Sequence, residues 1–194
     1  TRKELKEDEV AEFFAKVVLY FQRNARRIVG ISLVVVVAII IAVVAIKQRR
    51  AAELDAQFEL AQANLQLKAG NFATALAAYG EIRERYRGTW SSSDATFFAA
   101  SAYFAAGRYD TAMVLFENYL HLGKRRPEFT VSARLGIAQC LEELGRYGEA
   151  ADNYLKVQRE YPESPLAPDA LLGAARCYEL AGNSRRQHAS MTRY

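Results

Sequence analysis

Histidine is nearly absent from this chain of 194 residues. Only His121 and His188 occur, far apart and with no carboxylate constellation around either. That removes imidazole-centred acid–base catalysis and a histidine-built metal centre as leading readings. Cysteine is equally scarce, with Cys140 and Cys177 alone, and neither has a second Cys or His at local ligand spacing. No Gly-rich phosphate loop follows a strand, and no run reads as a strand at all; the recurring Gly-x-aromatic lacks the Lys-Ser/Thr ending of a nucleotide loop. The formal charge is +4, yet no basic stripe with interleaved aromatics runs through the chain, which argues against nucleic acid. The expectation is a non-enzymatic protein with no catalytic residues, cofactor, metal or small-molecule substrate.

What is present is unevenly spread. From Ile28 to Ile46 the chain reads IVGISLVVVVAIIIAVVAI, without a charge. As a helix this run is ~28 Å long, close to the ~30 Å of bilayer hydrocarbon. A secretory signal peptide has a shorter apolar region and a small-x-small cleavage site, so the run reads as an uncleaved anchor. Arg23, Arg26 and Arg27 flank it on one side and Lys47, Arg49 and Arg50 on the other, as cations that snorkel to lipid headgroups do. Counting Lys16 with the first group, the basic flanks favour a cytoplasmic N-terminus and a C-terminal part outside the cytoplasm.

Ahead of the anchor, Val10, Phe13, Phe14, Val17 and Phe21 share one helical face. That face suits either the headgroup layer or a docking site on a membrane partner. Between Gly30 and Gly70 there is neither Gly nor Pro, and KQRRAAELDAQFELAQANLQLKAG is rich in helix formers. The anchor is therefore expected to run as a helix into the next segment, the alternative being a break within residues 49–53.

Beyond it a pattern recurs. GNFATA (Gly70, Phe72, Ala75), GRYDTA (Gly107, Tyr109, Ala112) and GRYGEA (Gly145, Tyr147, Ala150) are followed by a damaged copy, GNSRRQ, at Gly182. Apolar residues recur near every 3.6 positions on both sides of each glycine, so each unit is a helix, a tight glycine turn and a second helix. The aromatic can pack back over the preceding helix, and the alanine lets the two helices approach. Such hairpins bury both faces only by stacking.

These residues resemble the tetratricopeptide repeat (TPR) family. Small Ala63, Ala100, Ala138 and Ala175 stand seven before each glycine. Tyr103, Leu141 and Tyr178 stand four before, with Gln66 departing; Tyr79, Phe116 and Tyr154 stand nine after, with Met191 in the fourth copy. The resemblance implies a solenoid of about 3.5 hairpins, and with the apolar run ahead of it the expected fold is all-α: one transmembrane helix, then the solenoid. The expected layout is an amphipathic segment over 1–27, the anchor over 28–46, a basic helical stalk over 47–52 and repeats over 53–90, 91–128, 129–165 and 166–194. Loops are expected over 87–94, 123–130 and 162–169, with Ser93 or Asp94 and Asp169 as helix N-caps. The fourth copy is expected either to be an imperfect cap or to have its end omitted through disorder.

Cys140 and Cys177 each stand five before a glycine. Stacked helices lie ~8–10 Å apart, whereas a disulfide needs Cα atoms within about 7 Å, so two free, buried thiols are expected. In the TPR register Leu60, Phe97, Leu135 and Leu172 take one groove position, and Asn64, Ser101, Gln139 and Arg176 another. The Lys and Asn pattern with which some members grip a C-terminal carboxylate is absent. The apolar row suits a peptide or another subunit, unless a register error of one makes it core. Trp90 is either an interface anchor in a Ser-rich loop or a cover for its own repeat. The order of segments and the start KELKEDEV are similar to single-anchor bacterial TPR proteins related to the ancillary subunit of the Sec translocon. That implies an inner-membrane anchor, periplasmic repeats, and translocon and chaperone partners. The alternative is an accessory subunit of a respiratory or photosynthetic membrane complex.

Overall fold

The structure is a computed structural model that describes the backbone of residues 2–191 and the side chains of residues 24, 26, 27 and 29–182. Among the described residues seven helices follow in order: α1 (Arg2–Lys68), α2 (Phe72–Arg85), α3 (Trp90–Ala105), α4 (Tyr109–His121), α5 (Pro127–Glu143), α6 (Tyr147–Glu160) and α7 (Ala167–Met191). No strand occurs among the described residues. The fold is all-α, as the patterning predicts. Two units are distinguished, residues 1–50 and 51–194.

The first unit is helical from Arg2 onward. Its most apolar window has a mean hydropathy of 3.3 and no buried residue. The polar Ser32 satisfies its hydroxyl by donating to the Val29 carbonyl at 3.0 Å. Arg26, Arg27, Lys47, Arg49 and Arg50 are exposed. Val10, Phe13, Phe14, Val17, Phe21 and Arg23 lie outside the residues whose side chains are described.

In the second unit the last part of α1, from Ala51, packs with α2 as the first hairpin, Leu60 and Ala63 clustering with Ala75, Tyr79 and Ile82. The others are α3 with α4 and α5 with α6, and α7 closes the stack against α6. Each hairpin turns on a glycine in the left-handed region: Gly70 (φ 82°), Gly107 (73°) and Gly145 (73°). At each turn the residue after the glycine donates to the carbonyl five before it: Asn71 to Gln66, Arg108 to Tyr103 and Arg146 to Leu141, all at 2.9 Å. This bond satisfies a carbonyl that the ending helix leaves open. Ala75, Ala112 and Ala150 are fully buried where the second helix of each hairpin sets off. Tyr109 folds back onto Phe104 with ring centroids 5.3 Å apart, whereas Phe72 is 44% exposed.

The fourth copy departs from the pattern. Helix α7 continues through Gly182 to Met191 instead of turning there. Ser184 and Gln187 stand where the other copies have the aromatic and the alanine. Neither supplies the aromatic or small contact found after the other glycines, and a mid-helix Gly costs only about 1 kcal/mol. Over the described residues the repeat unit is thus three hairpins followed by α7.

Three connections are shorter than the sequence predicts. Helix α3 begins at Trp90 with Thr89 as its N-cap, the hydroxyl oxygen accepting from the Ser92 amide at 3.0 Å, so Ser93 and Asp94 lie inside the helix. Helix α5 begins at Pro127, whose fixed φ and missing N–H suit a first turn. Helix α7 begins at Ala167, placing Asp169 in its first turn and not at the cap.

Two apolar clusters fill the stack. One spans the first two hairpins and is built on Tyr79, Ile82, Phe116 and Tyr119. The other lies between the third hairpin and α7, around Leu141, Tyr154, Val157 and Ala174. Cys140 and Cys177 are free and buried, one in each cluster. Burial pushes the Cys140 thiol up to about 12 and the Cys177 thiol to about 11, the latter aided by the Glu142 charge, so both stay protonated and inert.

Candidate functional site

The first helix of each repeat positions the residues predicted to line a groove, and of the eight only Leu60 is buried. Leu60 is buried in the first cluster. Phe97 is half-buried and stacks on Phe129 with centroids 4.6 Å apart and 1° between planes. It also meets Phe116 and Tyr119 at 5.7 Å. Leu135 is half-buried against the second cluster. Only Leu172 stands open, 66% exposed. The apolar row is therefore not uniform: Leu60 is core, Phe97 and Leu135 are half-buried, and Leu172 is open. Leu60, Phe97 and Leu135 each have a following helix packed beside them, and among the described residues α7 has none.

The second row is mostly occupied by the chain itself. Asn64 accepts a bond from the buried Tyr79 hydroxyl at 2.6 Å. The Ser101 hydroxyl donates to the Phe97 carbonyl at 3.1 Å. Arg176 donates through two nitrogens to Glu142 at 2.6 and 2.8 Å, and Tyr154 donates to the same carboxylate at 2.8 Å. Arg176 holds the Glu142 carboxyl below the usual range against the opposing effect of burial. Burial, then the bond to Glu142, raises the Tyr154 phenol. Arg176 is thus a tie between α5, α6 and α7 and not a free cation; it and Gln139 are the exposed members of this row.

Trp90 does not lie in a loop. It opens α3, is 41% exposed, and its backbone N–H donates to Glu53 Oε2 at 2.7 Å. Glu53 Oε1 also accepts from the Ser91 amide at 3.0 Å and the Ser91 hydroxyl at 2.8 Å. The carboxylate of one repeat therefore caps the first helix of the next, where helix N–H groups lack partners. Burial raises the Glu53 carboxyl, but the Ser91 and Trp90 bonds outweigh it and the net shift is down. A comparable tie follows one repeat on, where Arg126, the N-cap of α5, donates to the buried Asp94 at 2.7 Å. Burial raises the Asp94 carboxyl despite that bond, and its Oδ1 has no partner.

Two positions without a sequence-based expectation matter to the stack. A Cβ on Gly136 would stand 2.6 Å from the Phe116 ring, and one on Gly173 would stand 2.8 Å from the Tyr154 ring. Each aromatic of one repeat enters the next first helix where a side chain is missing. The signal is legible as spacing, since each of these glycines stands nine residues before a recurring one. A cleft of about 580 Å³ opens where α2, α3 and α4 meet, with Arg83, Arg87, Ser92, Asn118 and Lys124 in its walls. Glu84 is the one acid lining it and pairs with Arg87, so the cleft is net basic. The described surfaces thus offer hydrogen bonds, apolar area and cations, the chemistry of protein contact.

A family model described as Tetratricopeptide repeat matches residues 60–127 and 115–165. A search of curated proteins finds no match to the chain. With more than half of its length matched and three glycine-turned hairpins stacked on one another, this chain belongs to the tetratricopeptide repeat family, whose stacked hairpins bind other proteins.

Proposed function

We propose that this chain is a single-pass scaffold or accessory subunit that holds partner proteins at a bacterial inner membrane through its repeats. Residues 28–46 cross the bilayer, with 1–27 on the cytoplasmic face, 47–52 as a basic stalk and the repeats over 53–194 on the periplasmic side. The observation that carries this reading is α1. Within one uninterrupted helix it holds a fully exposed apolar window and the first helix of a protein-binding repeat stack. Burying such a window in water-free lipid removes apolar area that the protein leaves open. Arg23, Arg26, Arg27, Lys47, Arg49 and Arg50 meet the headgroups, and the face of Val10, Phe13, Phe14, Val17 and Phe21 lies in the cytoplasmic interface. Subunits of the translocon and its chaperones are the partners proposed.

Alkaline carbonate extraction of membranes tests the anchor. The chain is expected in the pellet, and release into the supernatant overturns the reading. Extraction in mild detergent followed by mass spectrometry of what accompanies the chain tests the partners. Translocon subunits support the assignment, whereas respiratory or photosynthetic subunits replace it with the accessory-subunit role in an energy-transducing complex.

A further inference from the structure

We propose that the outward face of α1 within the repeat unit is a seam on which a second copy of this chain docks, parallel and in register. The orientation rests on the membrane anchoring proposed above. Leu54, Phe58, Ala61 and Leu65 follow one another at spacings of four, three and four. At 100° per residue they fall within about 60° of arc. Leu54 and Phe58 are each 66% exposed and Leu65 is 64% exposed. The opposite side of the same helix carries Ala56, Leu60 and Ala63, all buried. The helix therefore has one apolar stripe spent on its own fold and a second, heptad-spaced, left open. Single exposed apolar residues are ordinary, but a row at this spacing is the pattern of a two-helix seam.

The flanks favour an identical helix. Glu53 and Glu59 are taken up by their own solenoid, through Trp90 and Ser91 and through Arg85 and Tyr86. Beside the stripe stand Asp55, Gln57 and Gln62. In a parallel, in-register pair, Gln57 of one copy faces Gln62 of the other, and Arg50 faces Asp55, opposite in charge, on both sides. Ala61 leaves room between the layers of Phe58 and Leu65. The seam is only about 17 Å long, too short to bury the roughly 800 Å² per partner of a free-standing interface. Two copies in one bilayer need less, because the shared anchor raises their effective concentration. The dimer is therefore expected of the membrane-embedded chain.

The test uses the full chain in bilayer nanodiscs with an oxidant and one added cysteine at a time, Cys140 and Cys177 being buried. Leu54→Cys and Leu65→Cys should each give a species of doubled mass, and Lys156→Cys, on the exposed side of α6, should not. No cross-link at either seam position, equal cross-linking at all three, or cross-linking only when the two seam variants are mixed overturns the proposal. Leu65→Glu should keep its helicity and melting temperature and lose the dimer in native mass spectrometry; an unchanged dimer places the interface elsewhere and sinks the seam. Carbonate extraction separates the two readings. A chain that stays embedded but never cross-links defeats the seam alone, and one that cross-links yet is released defeats the anchor alone.

Discussion

At the scale of single residues, glycines in this chain do three different jobs. Gly136 and Gly173 are vacant sites into which Phe116 and Tyr154 fit. Gly136→Ala places a methyl carbon inside contact distance of a ring buried on every side, and overpacking of that kind costs about 1–3 kcal/mol. Thermal denaturation of the purified variant should show the loss. Gly80, within α2, has open space to 4 Å around the point where a Cβ would stand, and its φ is not positive. Gly80→Ala should therefore raise stability by roughly 0.5–1 kcal/mol through helix propensity alone. Gly107, with φ of 73° and open space around it, differs again. Gly107→Ala should cost on the order of 1 kcal/mol from backbone strain without any clash. A set of variants in which all three glycines respond alike would contradict these assignments.

Among the elements, charged side chains join neighbouring helices where apolar contact ends. Glu53 closes the N-terminus of α3 from another repeat, and Glu142 gathers Arg176 and Tyr154. Glu53→Ala should cost about 1 kcal/mol at neutral pH, the usual effect of losing a cap. Both carboxyls titrate below the ordinary glutamate value of 4.5 in the folded chain. The unfolded state thus binds protons first as pH falls, and the stability these groups contribute is complete above 4.5 and lost as pH drops through their folded values. Asp94 acts oppositely, since its carboxyl is raised and its ionisation opposes folding as pH climbs above the ordinary aspartate value of 3.8. Denaturant titrations from pH 7 down to 3 should show the gap between wild type and Glu53→Gln narrowing in acid. A gap that stays constant would mean that the carboxylate's charge contributes nothing to the cap. Arg176 is more than half exposed, so its attraction to Glu142 is largely screened by solvent. The bond from buried Tyr154 is the more valuable part of that cluster.

For the whole molecule, stability of the repeat unit comes from neighbours covering neighbours. Helix α7 covers the second cluster with Ala170, Ala174 and Cys177. Ending the chain after Glu160 removes that cover and exposes Tyr154 and Val157. The melting temperature of the repeat unit should fall, with the third hairpin gaining amide hydrogen exchange before the first. Uniform exchange across all three hairpins would show that the stack unfolds as one body and that α7 is no local cap.

The chain's own order of residues determined the helical class, the hairpin period, the left-handed turns and the apolar run, because each depends on local spacing or on what glycine alone can do. Phe97 shows where that reasoning stops. Its register position is the same whether it faces a groove or a core, and only the arrival of Phe129 and Phe116 from later helices half-buries it. Arg176 reads as a groove cation until Glu142, from the preceding repeat, accepts from its Nε and one terminal nitrogen. Gly182 carries the residue type of a turn, yet α7 passes straight through it, because a turn persists only where the returning helix finds a face to bury. Which surfaces remain open, the stripe on α1 above all, was decided by tertiary packing: burial depends on contacts between residues distant in sequence, and their pairing is set only once the hairpins stack.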